Sequence, residues 1–167
     1  MIGFPFDTMR PRPFVVEPVA REDAEHLAAL HAATFRQPWS GDDFHAMLGD
    51  GRIFGFIARE EANRRAHPGG FVLARLVLDE AEILTIAVAP HAQRKGIGYA
   101  LMDATLRHLH NARAGMLFLE VDELNMPAIG LYRRLGFKQV GKRPGYYETA
   151  AGRVAALTMR RDLHPGR

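Results

Sequence analysis

The chain has 167 residues, 47% of them apolar, and 22 Lys and Arg stand against 19 Asp and Glu, so it has the size of one domain with a proper core. A net charge of +3 lifts the pI to about 9.6, which favours an anionic cofactor and falls short of a nucleic-acid-binding stripe. The lack of cysteine excludes disulfides, thiolate metal sites and a cysteine nucleophile, leaving carboxylates, His, Tyr, Ser and backbone groups for any catalysis.

No stretch approaches the ~20 uncharged apolar residues of a membrane span. Residues 1–13 hold Pro5, Pro11 and Pro13 with Arg10 and Arg12 where a signal peptide would be apolar, so an extended arm and a cytoplasmic location are expected. Phe14 to Val19 reads as a first strand, ended by Pro18. Arg21 to Phe35 has apolar residues near helical spacing, with His31 on that face as a core histidine. Gln37-Pro38-Trp39-Ser40 breaks this helix, and Ser40 caps a second, short one; Trp39 either packs in the core or walls a site. Gly51 to Arg59, Gly70 to Leu78 and Glu80 to Val88 read as consecutive strands of an antiparallel meander. The polar connection Glu60 to Gly69 is expected to be mobile, with Arg64 and Arg65 at a solvated tip.

Between the third of these strands and a helix from Gly96 to Arg113 lies Gln93-Arg94-Lys95-Gly96-Ile97-Gly98. Glycines here leave backbone N–H groups uncovered, and the first N–H groups of a helix lack internal partners, so the turn suits a phosphate. It is neither a P-loop nor a Rossmann turn, because the glycine spacings of both are missing. Along the helix Asp103, Arg107, His110 and Asn111 form a polar stripe, while His108 and His110, two apart, point different ways and hold no metal.

Met116 to Val121 is an apolar run broken by Glu120, and reads as a strand buried on both faces. A carboxylate there must be paired, solvated from a cleft, or functional. Asn125 to Leu135 reads as a helix with Asn125 as cap, Pro127 in the first turn and Gly136 after the end. Phe137 to Lys142 and Arg153 to Met159 read as two last strands joined through Pro144-Gly145-Tyr146-Tyr147, whose tyrosines would stand on a site rim. His164 to Arg167 is a fraying tail.

From Phe14 to Leu163 this order of elements resembles the GNAT N-acetyltransferase superfamily, and Gln93-x-x-Gly96-x-Gly98 looks like its pyrophosphate loop. Within it, Ile86 to Pro90, Leu119-Glu120-Val121, Asn125 and Leu131-Tyr132-x-x-Leu135-Gly136-Phe137 are similar to the RimI-like subfamily, as are Gln37 to Ser40 and the Tyr146-Tyr147 pair. The resemblance implies an α+β fold, an α/β/α sandwich with a mixed sheet of about seven strands and about four helices, in a domain from 14 to 163. It implies acetyl-CoA as co-substrate, no metal, and a protein N-terminus as acceptor, an alanine of a small-subunit ribosomal protein in that subfamily. A small-molecule amine is the alternative acceptor, and a CoA-binding or ribosome-associated module without turnover is the reading from another class.

Carried over, Ile86, Ala87 and Val88 would pair with the pantetheine arm, and Arg94, Lys95, Gly96, Ile97, Gly98 and Tyr99 would cradle the pyrophosphate. Asn125 would touch the cofactor, Glu120 would be the general base and Tyr132 the general acid, with Trp39, Tyr146 and Tyr147 near the acceptor. The chemistry agrees: a peptide α-amine with a pKa of about 7.7–8.0 must lose a proton before attacking a thioester, and a departing thiolate needs one. The chain departs from the subfamily at Asp122, where the pattern has arginine directly after Glu-Val, and in the arm at 1–13.

Overall fold

Alternating apolar residues build one sheet, and the polar turns decide how it is threaded. The computed structural model describes residues 14–150 and 152–164, without the side chain of Tyr147; the expected arm and the end of the expected tail, 165–167, lie outside the described residues. Strands β1 (Phe14–Pro18), β2 (Ile53–Glu60), β3 (Gly70–Val77) and β4 (Glu80–Val88) form the antiparallel meander that the sequence predicts. With β5 (Met116–Asp122), β6 (Lys138–Thr149) and β7 (Gly152–Asp162) they make a seven-stranded sheet of order β1-β2-β3-β4-β5-β7-β6, in which only β4 and β5 run parallel. Pro18 is tolerated because, among the described residues, β1 is an edge strand with no ladder partner on its outer side.

Helices α1 (Ala24–Thr34) and α2 (Gly41–Leu48) cover one face, where Phe44 of α2 meets Phe71 of β3 edge to face at 5.7 Å. Ser40 starts α2 with a reciprocal cap: its hydroxyl accepts from the Asp43 N–H and its own N–H donates to the Asp43 carboxylate at 2.8 Å. Helix α3 (Ile97–Asn111) crosses β1 to β4 on the other face. It lies close, since a Cβ at Gly70 would stand 2.9 Å from Ile97 Cγ2 and 3.2 Å from Leu101 Cδ1. Helix α4 (Met126–Arg134) buries Ile129 and Tyr132.

Three expectations are corrected. Strand β5 is buried on one face, through Leu117, Leu119 and Val121, while Met116, Phe118, Glu120 and Asp122 stand on a half-open face. Composition alone could not separate these, because Met and Phe are apolar on either face. Pro144-Gly145-Tyr146-Tyr147 lies inside β6 and does not join the last strands. Register runs from Arg143 opposite Ala156 to Tyr147 opposite Val154, so the three residues between bulge out, helped by Gly145 at φ 62° and by the edge position of β6. Arg64 is more than a solvated tip: its guanidinium pairs with Glu17 at 3.3 Å, and its carbonyl accepts from Arg59.

Candidate active site

The chemistry-bearing residues collect where β4 and β5 part. Parallel pairing covers only Glu80 to Glu82 against Met116 to Phe118, after which no β4–β5 pairs occur. Between Leu73–Thr85 and Ala74–Ile83 the β3 register slips by one, making Leu84 an extra residue in β4. A bulge bends its strand, so β4 turns away from β5 and leaves Ile86, Ala87 and Val88 paired on the β3 side alone.

At the end of β4 the chain enters the glycine loop. Arg94 has φ 61° and Gly96 φ 79°, and Gly96 occupies the cap of α3 without any side-chain cap hydrogen bond. The first intrahelical bond runs from the Ala100 N–H to the Gly96 carbonyl, so the N–H groups of Ile97, Gly98 and Tyr99 precede the helical ladder. An uncapped helix start of this kind, beside two exposed cations, fits a pyrophosphate. The six loop residues play unequal parts. Ile97 is only 3% exposed and belongs to the core, Lys95 reaches over the Phe14 ring at 6.0 Å, and Tyr99 is exposed. From Tyr99 a groove of about 640 Å³ follows the polar stripe of α3, past Asp103 paired with Arg107, to Arg134 and Arg161.

Glu120 projects from the half-open face of β5 and pairs with Arg143 of β6 at 3.0 Å. Arg143 in turn lies over the Tyr146 ring at 5.2 Å. Arg143 went unnoticed in the sequence because its partner is on a non-neighbouring strand, although it directly precedes the Pro-Gly-Tyr-Tyr motif. It puts a guanidinium beside Glu120 in a chain that has Asp122 where the subfamily pattern has arginine. The Asp122 carboxylate accepts from the Leu124 N–H at 2.7 Å, shaping the turn into α4. Glu123 accepts from the Ala155 N–H and from Lys142, and these bonds hold its carboxyl below the usual range.

Asn125 caps α4, its side-chain oxygen accepting from the Ala128 N–H at 3.3 Å. Tyr132 is 5% exposed and packs against Phe137 at 5.8 Å between ring centres. Trp39 stacks on His31 at 4.8 Å and leans on Phe44, so it is part of the α1–α2 packing. Tyr146 is 54% exposed, as a rim residue would be, and Tyr147 keeps backbone register with Val154. Arg36, between α1 and α2, donates to the Glu148 carbonyl at 3.3 Å and ties that connection to β6.

A meander, a parting of two parallel strands and an uncapped phosphate-type loop define an acetyltransferase of the GNAT fold, and residues 20–137 match the acetyltransferase (GNAT) family, to which the chain belongs. The chain is 37% identical over 122 residues to the [ribosomal protein bS18]-alanine N-acetyltransferase of Escherichia coli K12, covering 73% of this chain and 79% of the relative. It is 35% identical over 152 residues to the N-alpha-acetyltransferase RimI of Mycobacterium tuberculosis, covering 90% and 93%. The crystal structure of the E. coli ribosomal-protein-S18-alanine N-acetyltransferase superposes with a TM-score of 0.84 at 28% identity, over 93% of this chain and 97% of that one. Arabidopsis thaliana NAA60, solved with a bisubstrate analogue, shares the fold at a TM-score of 0.78 and 22% identity, over 90% and 98%.

Proposed function

We propose that this enzyme transfers the acetyl group of acetyl-CoA to the α-amine of a protein N-terminus in the cytoplasm, with a ribosomal-protein alanine as acceptor, and that residues 14–163 form its catalytic domain. The observation that carries the reading is Glu120: a carboxylate on the half-open face of β5, level with the parting from β4, in a chain related to N-terminal acetyltransferases. Bound acetyl-CoA supplies an activated acetyl thioester. Backbone N–H groups from Arg94 to Tyr99 hold its pyrophosphate, the edge from Ile86 to Val88 aligns the pantetheine arm, and Asn125 adds a contact beside α4. Glu120 takes a proton from the acceptor α-ammonium, and the Tyr132 phenol holds the proton that the leaving sulfur requires. Exposed Tyr146 is assigned to the acceptor side together with Tyr147, and Trp39 backs that side only through the α1–α2 packing. No metal, nucleic acid or membrane takes part.

An N-terminal acceptor is the better match to a single carboxylate base at neutral pH. An α-amine with a pKa of about 7.7–8.0 is over two units easier to deprotonate than a lysine amine at about 10.4. The test is release of free thiol from acetyl-CoA with a panel of alanine-terminated peptides, lysine peptides with blocked N-termini, and small amines. Turnover is expected on the alanine N-termini and lost by about 10² in Glu120→Gln and Tyr132→Phe, with acetyl-CoA binding retained. Turnover on blocked lysine peptides or small amines alone would refute the acceptor assignment.

A further inference from the structure

Two side-chain atoms are buried without a hydrogen-bond partner among the described residues, His26 Nδ1 and Thr85 Oγ1. Such atoms are costly, and each calls for a partner from outside the chain or for a reason to lack one. His26 is on α1, with its ring edge against His67 at 6.1 Å. Thr85 is the residue directly after the β4 bulge and is 6% exposed.

The register says which way Thr85 faces and how high it stands. Thr85 is opposite Leu73, which shares a face of β3 with Phe71, and Phe71 meets Phe44 of α2. Arg75 is on that same face of β3, opposite and paired with Glu82, and Glu82 is in turn opposite Phe118 of β5. Glu120, two residues beyond Phe118, therefore faces the α1–α2 side together with Thr85. Thr85 lies three residues beyond Glu82, one of them taken up by the bulge, so the hydroxyl and the carboxylate stand level on the two strands that are parting. Without Leu84 as the extra residue, Thr85 would face α3.

We propose that Thr85 is a positioning residue whose hydroxyl holds the water through which Glu120 takes its proton. This rests on the reading of Glu120 as the base. One proton passes from the acceptor α-ammonium to the water while another passes from the water to the Glu120 carboxylate; the Thr85 hydroxyl only hydrogen-bonds the water and keeps its own proton. The bulge then has two effects, opening the sheet and turning the Thr85 hydroxyl to the face on which Glu120 stands.

Thr85→Val keeps the shape and removes the hydroxyl. If Thr85 were only a core residue, the variant would be as stable as the parent or more so, and kcat/KM would not change. The expected result is a melting temperature at or above that of the parent, unchanged acetyl-CoA binding by calorimetry, and a kcat lower by about tenfold, with Thr85→Ser regaining most of it. In a Glu120→Gln background the same substitution should change turnover less than about twofold, because the water no longer has a base to serve. A crystal structure should show a water bonded to Thr85 Oγ1 and directed to Glu120. An unchanged kcat in Thr85→Val, equal losses in both backgrounds, or a Thr85 hydroxyl bonded only to backbone would overturn the proposal. Full activity in Glu120→Gln alone would instead remove the base assignment on which it rests.

Discussion

At the scale of single residues, burial separates side chains that look alike in the sequence. Trp39 and Tyr146 both read as candidates for the acceptor side, yet Trp39 is stacked on His31 while Tyr146 is exposed beneath Arg143. His31 is a core histidine, as expected, and it is also a hydrogen-bond acceptor: its Nδ1 receives the Trp39 N–H at 3.1 Å, and its ring lies between Phe35 and Trp39. Burial pushes its pKa below the usual 6.5. Between that lowered value and 6.5 the unfolded chain binds more protons than the folded one, so stability is complete above 6.5 and is lost as the pH falls below it. Protonation at Nδ1 also removes the acceptor for Trp39. Melting temperatures between pH 7.5 and 5.5 should therefore fall in the parent and fall less in His31→Gln, whose side-chain oxygen can accept the same N–H. Equal slopes would assign the effect to other groups.

At the scale of elements, the two glycines of the loop do different work. Gly96 needs its backbone conformation: a Cβ there meets no atom within 4 Å, but φ is 79°, so Gly96→Ala should cost about 1–2 kcal/mol in strain with no lost contact. Gly98 needs its missing side chain, since a Cβ would lie 3.3 Å from Leu131 Cδ2 of α4 and 3.9 Å from Val88 Cγ2 of β4. Valine at this position puts further bulk at the corner where the proposed pyrophosphate cradle meets the β4 edge. A ligand held only by the folded state raises the melting temperature by mass action, and Gly98→Val should lose most of the rise that acetyl-CoA gives. An unchanged rise would sink the cradle assignment. The motif spacing was legible in the sequence; the contact with α4 was not, because Leu131 lies on a separate helix.

At the scale of the whole molecule, a charge cluster with a buried centre ties the start of the domain together. Arg59 of β2 pairs with Asp23, just before α1, and with Glu17 of β1 at 3.2 Å, while Arg64 closes the chain of charges onto Glu17. The Asp23 carboxylate also accepts from the Ala20 N–H at 2.8 Å. Both Arg59 and Asp23 are under 10% exposed. Removing one partner of such a pair leaves the other charge buried, so Arg59→Met should destabilise the fold by about 3–5 kcal/mol. Urea unfolding should show this as a lower midpoint with an unchanged slope. A change below about 1 kcal/mol would mean that Asp23 regains water when Arg59 is gone.

The sequence by itself determined the order of the elements, the meander, the helix caps at Ser40 and Asn125, the glycine loop and the family. Each of these depends on residues close together in the chain, where spacing and backbone preference are decisive. Tertiary structure alone decided that β4 and β5 part after Glu82, that Leu84 is extra, that Arg143 meets Glu120, and that Pro144 to Tyr146 bulge from β6. These depend on register between strands distant in sequence. A shift of one residue there turns a side chain to the opposite face of the sheet, and no local pattern records it.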